Sequence, residues 1–394
     1  MLTQDRWLLP EGIEEIFPAE AERLDQLVRR LLDRFAGWGY RLVMPPMVDY
    51  LDSLLVGTGH ELDLQTLKLT DPISGRLIGL RADMTPQVAR IDARTATKGV
   101  PSRLCYFGSV VHAMPGHLEK SRNPIQVGAE LYGHAGAASS VEVIRLMLET
   151  LSLAKVTGVH LDLGHVGIYR ALACEAGLAE TQESTLFDIL QRKDATDLRA
   201  FVDEIGVSGP VADMIGALLD LNGSTEVIAE ARARLSGGGS LIAGALDELA
   251  GIVEVLSSRY PDVPLNVDLA ELRGYEYHTG IVFAAFVPGQ GREVARGGRY
   301  DDIGQVFGFA RPAVGFSADL KVLARLSSAA ESEAGKDTLF APAVQDAELD
   351  RLISTLRQEG KVVIQSLGGP DENAECLGCS GVIAKHDNKW RVLG

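Results

Sequence analysis

Arg273-Gly-Tyr-Glu-Tyr-His278 and Ala295-Arg-Gly-Gly-Arg-Tyr-Asp301 carry most of what this chain says about its fold. The first packs cationic and hydrogen-bonding groups into six residues. The second is a tight glycine turn bearing charges. Two segments further back complement them. Leu80-Arg-Ala-Asp-Met-Thr85 sets an arginine, a carboxylate and a hydroxyl before a helix. Gln126-Val-Gly-Ala-Glu130 reads as a strand, which puts Gln126, Gly128 and Glu130 on one face. Two carboxylates, a guanidinium and two amphoteric rings suit a small zwitterion that carries a polar ring. For any one of the four segments alone, a salt-bridged turn in an α/β core is the better explanation. Their co-occurrence favours a site.

The periodicity around them predicts alternating helices and strands. Leu24, Leu27, Leu31, Leu32 and Phe35 mark one face of a helix over 19–38, followed by a strand from Tyr40 to Met44 stopped at Pro45-Pro46. A hairpin is expected over 67–80, helices over 84–96 and 139–154, and strands over 102–112, 126–133 and 159–163. Residues 169 to 258 are rich in Ala, Leu, Asp and Glu and read as several helices, broken near 206–209 and 236–240. Strand patterns resume at 265–269 and 279–286. The expected organisation is a core over 1–326 with a helical insertion at about 169–258, a small polar linker over 327–336, and a C-terminal α/β domain over 337–394.

Composition narrows the function classes. The chain has 394 residues, 46% hydrophobic and 23% charged, which is ordinary for a globular protein. No apolar run is long enough to cross a bilayer, and the N-terminal stretch lacks an apolar signal core, so no membrane partner and a cytoplasmic location are expected. The net charge of -16 counts against a nucleic-acid partner, whose phosphates call for a basic stripe. Cys376-Leu-Gly-Cys379, with His386 nearby, is a single CxxC; without a second pair a structural or incidental role is the expectation, and neither a metal nor a cofactor is expected.

Over nearly all of residues 1–325 the chain resembles histidyl-tRNA synthetases. Gly39-Tyr40 through Pro46 resembles the class II motif 1 strand, which implies a homodimer. Leu104 to Gly133 resembles motif 2, and Ala313 to Lys321 sits where motif 3 belongs. Arg273 to Gly280 and Ala295 to Asp301 resemble the two histidine-specific signatures. The fold implied is α+β: a class II aminoacyl-tRNA synthetase-like, mixed and largely antiparallel sheet flanked by helices. By this resemblance Asp83, Met84, Thr85, His112, Gln126, Glu130, Arg273, Tyr277 and His278 surround histidine. Asp83, Thr85 and Gln126 would hold its ammonium, Glu130 its imidazole and Arg273 its carboxylate; His278 replaces a family tyrosine.

The departures from that family bear on function. Class II adenylation uses a motif 2 arginine on the α-phosphate; here the segment is Val111-His112-Ala113-Met114, with His112 at that place. The motif 3 arginine is Val322, and the glycine ahead of it is Asp319. Adenylyl transfer depends on preorganised positive charge, and neither histidine nor valine replaces a bidentate guanidinium. Fewer than sixty residues follow the linker, short for an anticodon-binding domain. This combination resembles the regulatory subunits of ATP phosphoribosyltransferase. It implies a non-catalytic chain that partners a short-form catalytic subunit and takes L-histidine as effector in the first step of histidine biosynthesis. Three other readings stand beside it: an active histidyl-tRNA synthetase, a synthetase-like tRNA or amino-acid sensor, and a scaffold with a vestigial pocket.

Overall fold

The computed structural model describes residues 8–55, 60–115, 121–272, 274–275, 277–308, 310–327, 338–369 and 372–393. Arg273, most of the expected linker and part of the motif 2 loop therefore lie outside the described residues. The chain divides into two compact units, Met1–Ser328 and Ala329–Gly394.

The first unit is organised by a nine-stranded sheet. Its spatial order is Arg41–Leu42, Ser102–Ser109, Ile125–Tyr132, Ala313–Asp319, Ala295–Arg299, Ile281–Phe286, His160–His165, Leu265–Asp268 and Asn222–Ser224. The five central pairings are antiparallel. In this sheet, among the described residues, Arg41–Leu42 with Ser102–Ser109 and His160–His165 with Leu265–Asp268 run parallel. The class II resemblance implied this mixed, mostly antiparallel arrangement. However, Ala295–Arg299, read from its glycines as a tight turn, is a central strand of the sheet. Gly297 and Gly298 let the neighbouring strands and side chains approach where a Cβ would clash.

Helices Pro18–Gly37, Ala137–Leu153, Gly239–Arg259 and Leu320–Leu326 bury their apolar stripes in one continuous core with the sheet. Leu24, Leu27, Leu31 and Phe35 are the buried face of the first, matching the spacing read from sequence. The stretch over 169–258 forms the helices that sequence pattern suggested. Leu172, Leu186, Leu190, Ile252 and Leu256 from that stretch belong to the same core as the sheet strands. It also holds the short edge strand Asn222–Ser224, paired with Leu265–Asp268. Three residues flanked by helix formers leave no period-2 signal to read.

The expected hairpin, Leu67–Thr70 with Leu77–Leu80, joins Val48–Tyr50 in a separate three-stranded sheet. In the second unit, strands ordered Val362–Gln365, Thr338–Ala341, Gly381–His386 and Lys389–Leu393 carry the helix Ala347–Gln358. Leu349 and Ile353 of that helix meet Leu339, Val363 and Ile383 in a small core. The closing hairpin turns on Asp387 and Asn388, at φ of 49° and 61°, the positive values a two-residue type I′ turn requires. Among the described residues no helix is long and apolar enough to cross a membrane, and no group of His, Cys, Asp or Glu is placed to hold a metal ion. Cys376 and Cys379 are free thiols.

Candidate functional site

Pleat and register build the site. On Ile125–Tyr132, Gln126 and Glu130 face the same side, two residues either side of Gly128. The neighbouring strand Ala313–Asp319 sets Gly315 opposite Glu130, and Ser102–Ser109 sets Tyr106 opposite Gly128. Both glycines are steric requirements. A Cβ on Gly315 would collide with the Glu130 carboxylate, and one on Gly128 with the Tyr106 hydroxyl. An alanine at Gly315 would displace Glu130, and one at Gly128 would displace Tyr106.

Glu130 is buried, and three hydroxyls converge on it. Tyr106 donates to Oε1 at 2.9 Å, Thr85 to the same oxygen at 3.1 Å, and Tyr300 to Oε2. Burial holds both phenols well above their ordinary range, so they remain donors. Burial also pushes the Glu130 carboxyl up to about 8; the hydroxyl donors pull it back but do not offset the loss of water. The folded protein thus binds this proton more tightly than the unfolded chain, whose carboxyl titrates near 4.5. The associated stability is fully present below about 4.5 and is lost as the pH rises through about 8. Thermal unfolding between pH 5 and 8.5 is expected to show that decline in the wild type, on the order of a few kcal/mol, and a flatter profile in Glu130→Gln.

Asp83 stands at the mouth of the same site. Its Oδ1 accepts from the Thr85 N–H at 2.9 Å and from Gln126 Nε2 at 3.0 Å. Gln126 Oε1 in turn accepts the Met84 N–H at 3.0 Å. Met84 is placed differently from its neighbours. Its side chain is fully buried among Val88, Tyr106 and Tyr300, and only its backbone N–H serves the site. At the start of a helix, adjacent residues point apart, so Asp83 and Thr85 face the cavity while Met84 faces the core. Arg81, in the same segment, is structural: Nε donates to Ser109 O at 2.9 Å and Nη1 to Pro45 O at 2.6 Å.

Two cavities meet here. The larger, about 730 Å³, is lined by Asp83, Thr85, Gln126, Tyr277 and His112, among others. It falls within the roughly 300–1,000 Å³ usual for small-molecule sites. The smaller, about 180 Å³, is lined by Glu130, Tyr300, His278 and Tyr277, with Asp83 and Thr85 shared. The Tyr277 and His278 rings lie 4.3 Å apart. The structure thus brings together seven of the nine residues read from sequence: Asp83, Thr85, His112, Gln126, Glu130, Tyr277 and His278. Met84 contributes backbone only, and Arg273 lies outside the described residues.

The remaining wall of the larger cavity includes His112, Met114, Asp319 and Val322. His112 presents its Nε2 to Ala82 O at 3.2 Å. Burial holds the imidazole below its ordinary range, so it brings no positive charge near neutral pH. Asp319 caps the helix Leu320–Leu326 by accepting the Lys321 N–H at 2.9 Å, and burial raises its carboxyl. Sequence reasoning missed Arg292 and Arg296, which also line this cavity. Their signal was present in Gly291-Arg-Glu-Val-Ala-Arg296, but only strand pairing reveals which way that hairpin faces. They do not make the wall cationic. Asp83, Asp188, Glu293 and Asp319 line it too, and Arg296 meets Glu293 at 3.3 Å. Among the described residues, carboxylates outnumber guanidiniums, which disfavours a polyphosphate.

A largely antiparallel sheet packed against helices, with a buried carboxyl and two cavities beside it, defines a core of the class II synthetase type. Comparison with known proteins agrees. The histidyl-tRNA synthetase family profile matches residues 12–323, and that of the ATP phosphoribosyltransferase subunit HisZ C-terminal domain matches residues 336–393. The ATP phosphoribosyltransferase regulatory subunit of Methylococcus capsulatus is 58% identical, over 98% of this chain and 96% of its own length. That of Pseudomonas fluorescens is 53% identical, over 100% and 99%. Among solved structures, an ATP phosphoribosyltransferase regulatory subunit/histidyl-tRNA synthetase from Bacillus halodurans superposes with a TM-score of 0.83 at 26% identity, over 95% of this chain and 97% of that one. A histidyl-tRNA synthetase from Nostoc shares the fold, with a TM-score of 0.76 at 18% identity. The chain belongs to the ATP phosphoribosyltransferase regulatory subunit family, and its role is regulatory rather than catalytic.

Proposed function

We propose that this chain binds L-histidine in the paired cavities and conveys its presence to a short-form ATP phosphoribosyltransferase catalytic subunit, which needs this chain for activity. The observation that carries the proposal is the asymmetry of the site. On the amino-acid side, Asp83, Thr85 and Gln126 form a hydrogen-bonded cradle beside the buried Glu130. On the side where a nucleotide would lie, the wall presents neutral His112, apolar Met114 and Val322, and acidic Asp319. The ammonium of histidine meets Asp83, the imidazole meets Glu130, and Arg273 takes the carboxylate. Feedback then requires histidine to prefer one conformation of the assembled complex; the strength of inhibition equals that preference.

The protein acts in the cytosol as a homodimer within the hetero-complex. Leu42, Met44, Val48, Tyr50 and Leu69 are exposed apolar side chains around the motif 1 strand and the three-stranded sheet. Register puts Val48, Tyr50 and Leu69 on one face of that sheet. Such a strip on one molecule is expected to be covered by its copy. Met44→Glu combined with Val48→Asp is expected to convert the dimer to monomer in analytical ultracentrifugation.

Co-expression with the short catalytic subunit tests the functional reading. The expected result is a stable complex whose phosphoribosyl transfer rate exceeds that of the catalytic subunit alone. Failure to form a complex, or an unchanged rate, would sink it.

A further inference from the structure

The loop that carries Arg273, Tyr277 and His278 is held from outside by two helices of the 169–258 stretch. Arg170, in the helix Val166–Glu175, donates through Nη2 to the Tyr275 carbonyl at 2.7 Å. Gln191, in the helix Glu180–Arg192, donates to the Ala270 carbonyl at 3.2 Å, and Lys193 just beyond meets Asp268 at 2.7 Å. The Tyr275 ring is contacted by two others. Phe187 stacks on it with centroids 4.3 Å apart at 29°, and Tyr169 meets it edge-on at 5.6 Å. The Tyr169 hydroxyl links the two helices by donating to the Glu183 carbonyl at 2.5 Å.

Phe187 has a second position in the architecture. It lines both cavities. Ser184 and Asp188, one turn back and one residue on, line only the larger. Asp83, Thr85 and Tyr277 are likewise shared, so these residues and Phe187 mark the junction between the two spaces. A ligand whose ammonium lies at Asp83 and whose ring reaches Glu130 must cross that junction. A flat heteroaromatic ring crossing beside an aromatic wall gains stacking or edge contact, which an aliphatic side chain of similar size does not.

We infer that Phe187 is a specificity-determining contact for the imidazole of histidine, and that through it the helix Glu180–Arg192 registers whether the cavity is filled. The inference rests on the reading of the cavity as a histidine site. It adds a residue from outside the motifs, on a helix that also supports the Tyr277–His278 loop. Ring contact in the cavity and support of the loop therefore act on one element.

Calorimetric titration of the full chain with L-histidine, for wild type, Phe187→Ala and Phe187→Tyr, tests it. Phe187→Ala is expected to weaken binding about tenfold, and Phe187→Tyr, which keeps the ring, to stay within about twofold. Wild-type affinity in Phe187→Ala would overturn the inference while leaving the histidine site intact. So would Phe187→Tyr binding as weakly as Phe187→Ala, because that variant keeps the ring the inference requires. No binding by the wild type would instead remove the histidine reading, and the inference with it. Should Phe187→Ala not fold, Phe187→Trp decides: its added indole emission is expected to change when histidine is added, and an unchanged spectrum overturns the inference.

Discussion

Histidine-dependent exchange of pyrophosphate into ATP is expected to run at least about ten-thousandfold more slowly in this chain than in a histidyl-tRNA synthetase. Two preorganised donors are absent, and each is worth roughly 3 kcal/mol of barrier, which together is about four decades in rate. The structure adds a further reason. His112 and Val322 both face the larger cavity, so the substituted positions are in the site and not beside it. His112 is neutral near neutral pH because burial lowers its proton affinity. Among the described residues, Arg292 and Arg296 share the wall with four carboxylates, which offset their charge. The measurement is radiolabelled exchange with saturating histidine and ATP. A rate within about a hundredfold of a synthetase would mean that the two arginines hold the phosphates after all.

Asp83→Asn is expected to weaken histidine binding between about tenfold and a hundredfold. Asparagine keeps an oxygen for the Thr85 N–H, so the start of the helix Thr85–Thr95 should hold. What it removes is the charge that the proposed reading sets opposite the ligand's ammonium. A hydrogen bond to a charged group contributes about 1.5–3 kcal/mol, and each 1.4 kcal/mol is a decade in affinity. Calorimetry on the purified full chain reads the change, with circular dichroism to confirm that the fold persists. Affinity equal to the wild type would place the ammonium elsewhere.

How much of this was legible in the sequence depends on what each residue's signal was made of. Gln126 and Glu130 were legible because strand pleat alone puts both on one face. Asp83 and Thr85 were legible because a carboxylate and a hydroxyl precede a helix. Met84, between them, turns its side chain to the core and offers its backbone N–H, because adjacent residues at a helix start point apart. Tyr106 was passed over as a site residue. In a run such as Leu104-Cys-Tyr-Phe107 a tyrosine that donates to a buried carboxylate reads like any core tyrosine. Its role appears only when strand pairing sets it opposite Gly128.

Long-range pairing hid the rest. Arg292, Arg296 and Phe187 reach the cavity from a hairpin and a helix whose placement no local pattern specifies. In the second unit, the hairpin Gly381–His386 with Lys389–Leu393 escaped because its turn, Asp387-Asn388, lacks the glycine that usually marks such a turn. The fold class survived these omissions because it rests on spaced motifs. The chemistry of the cavity wall rests on which strands are neighbours.

The most direct measurement is histidine inhibition of the assembled enzyme. The complex of this chain with the short catalytic subunit is assayed for phosphoribosyl transfer over a range of L-histidine, once with wild-type chain and once with Asp83→Asn. The account predicts that both complexes are active without histidine, and that only the wild-type complex is inhibited at histidine concentrations that leave the variant running. Equal inhibition of the two, or none in either, would contradict it.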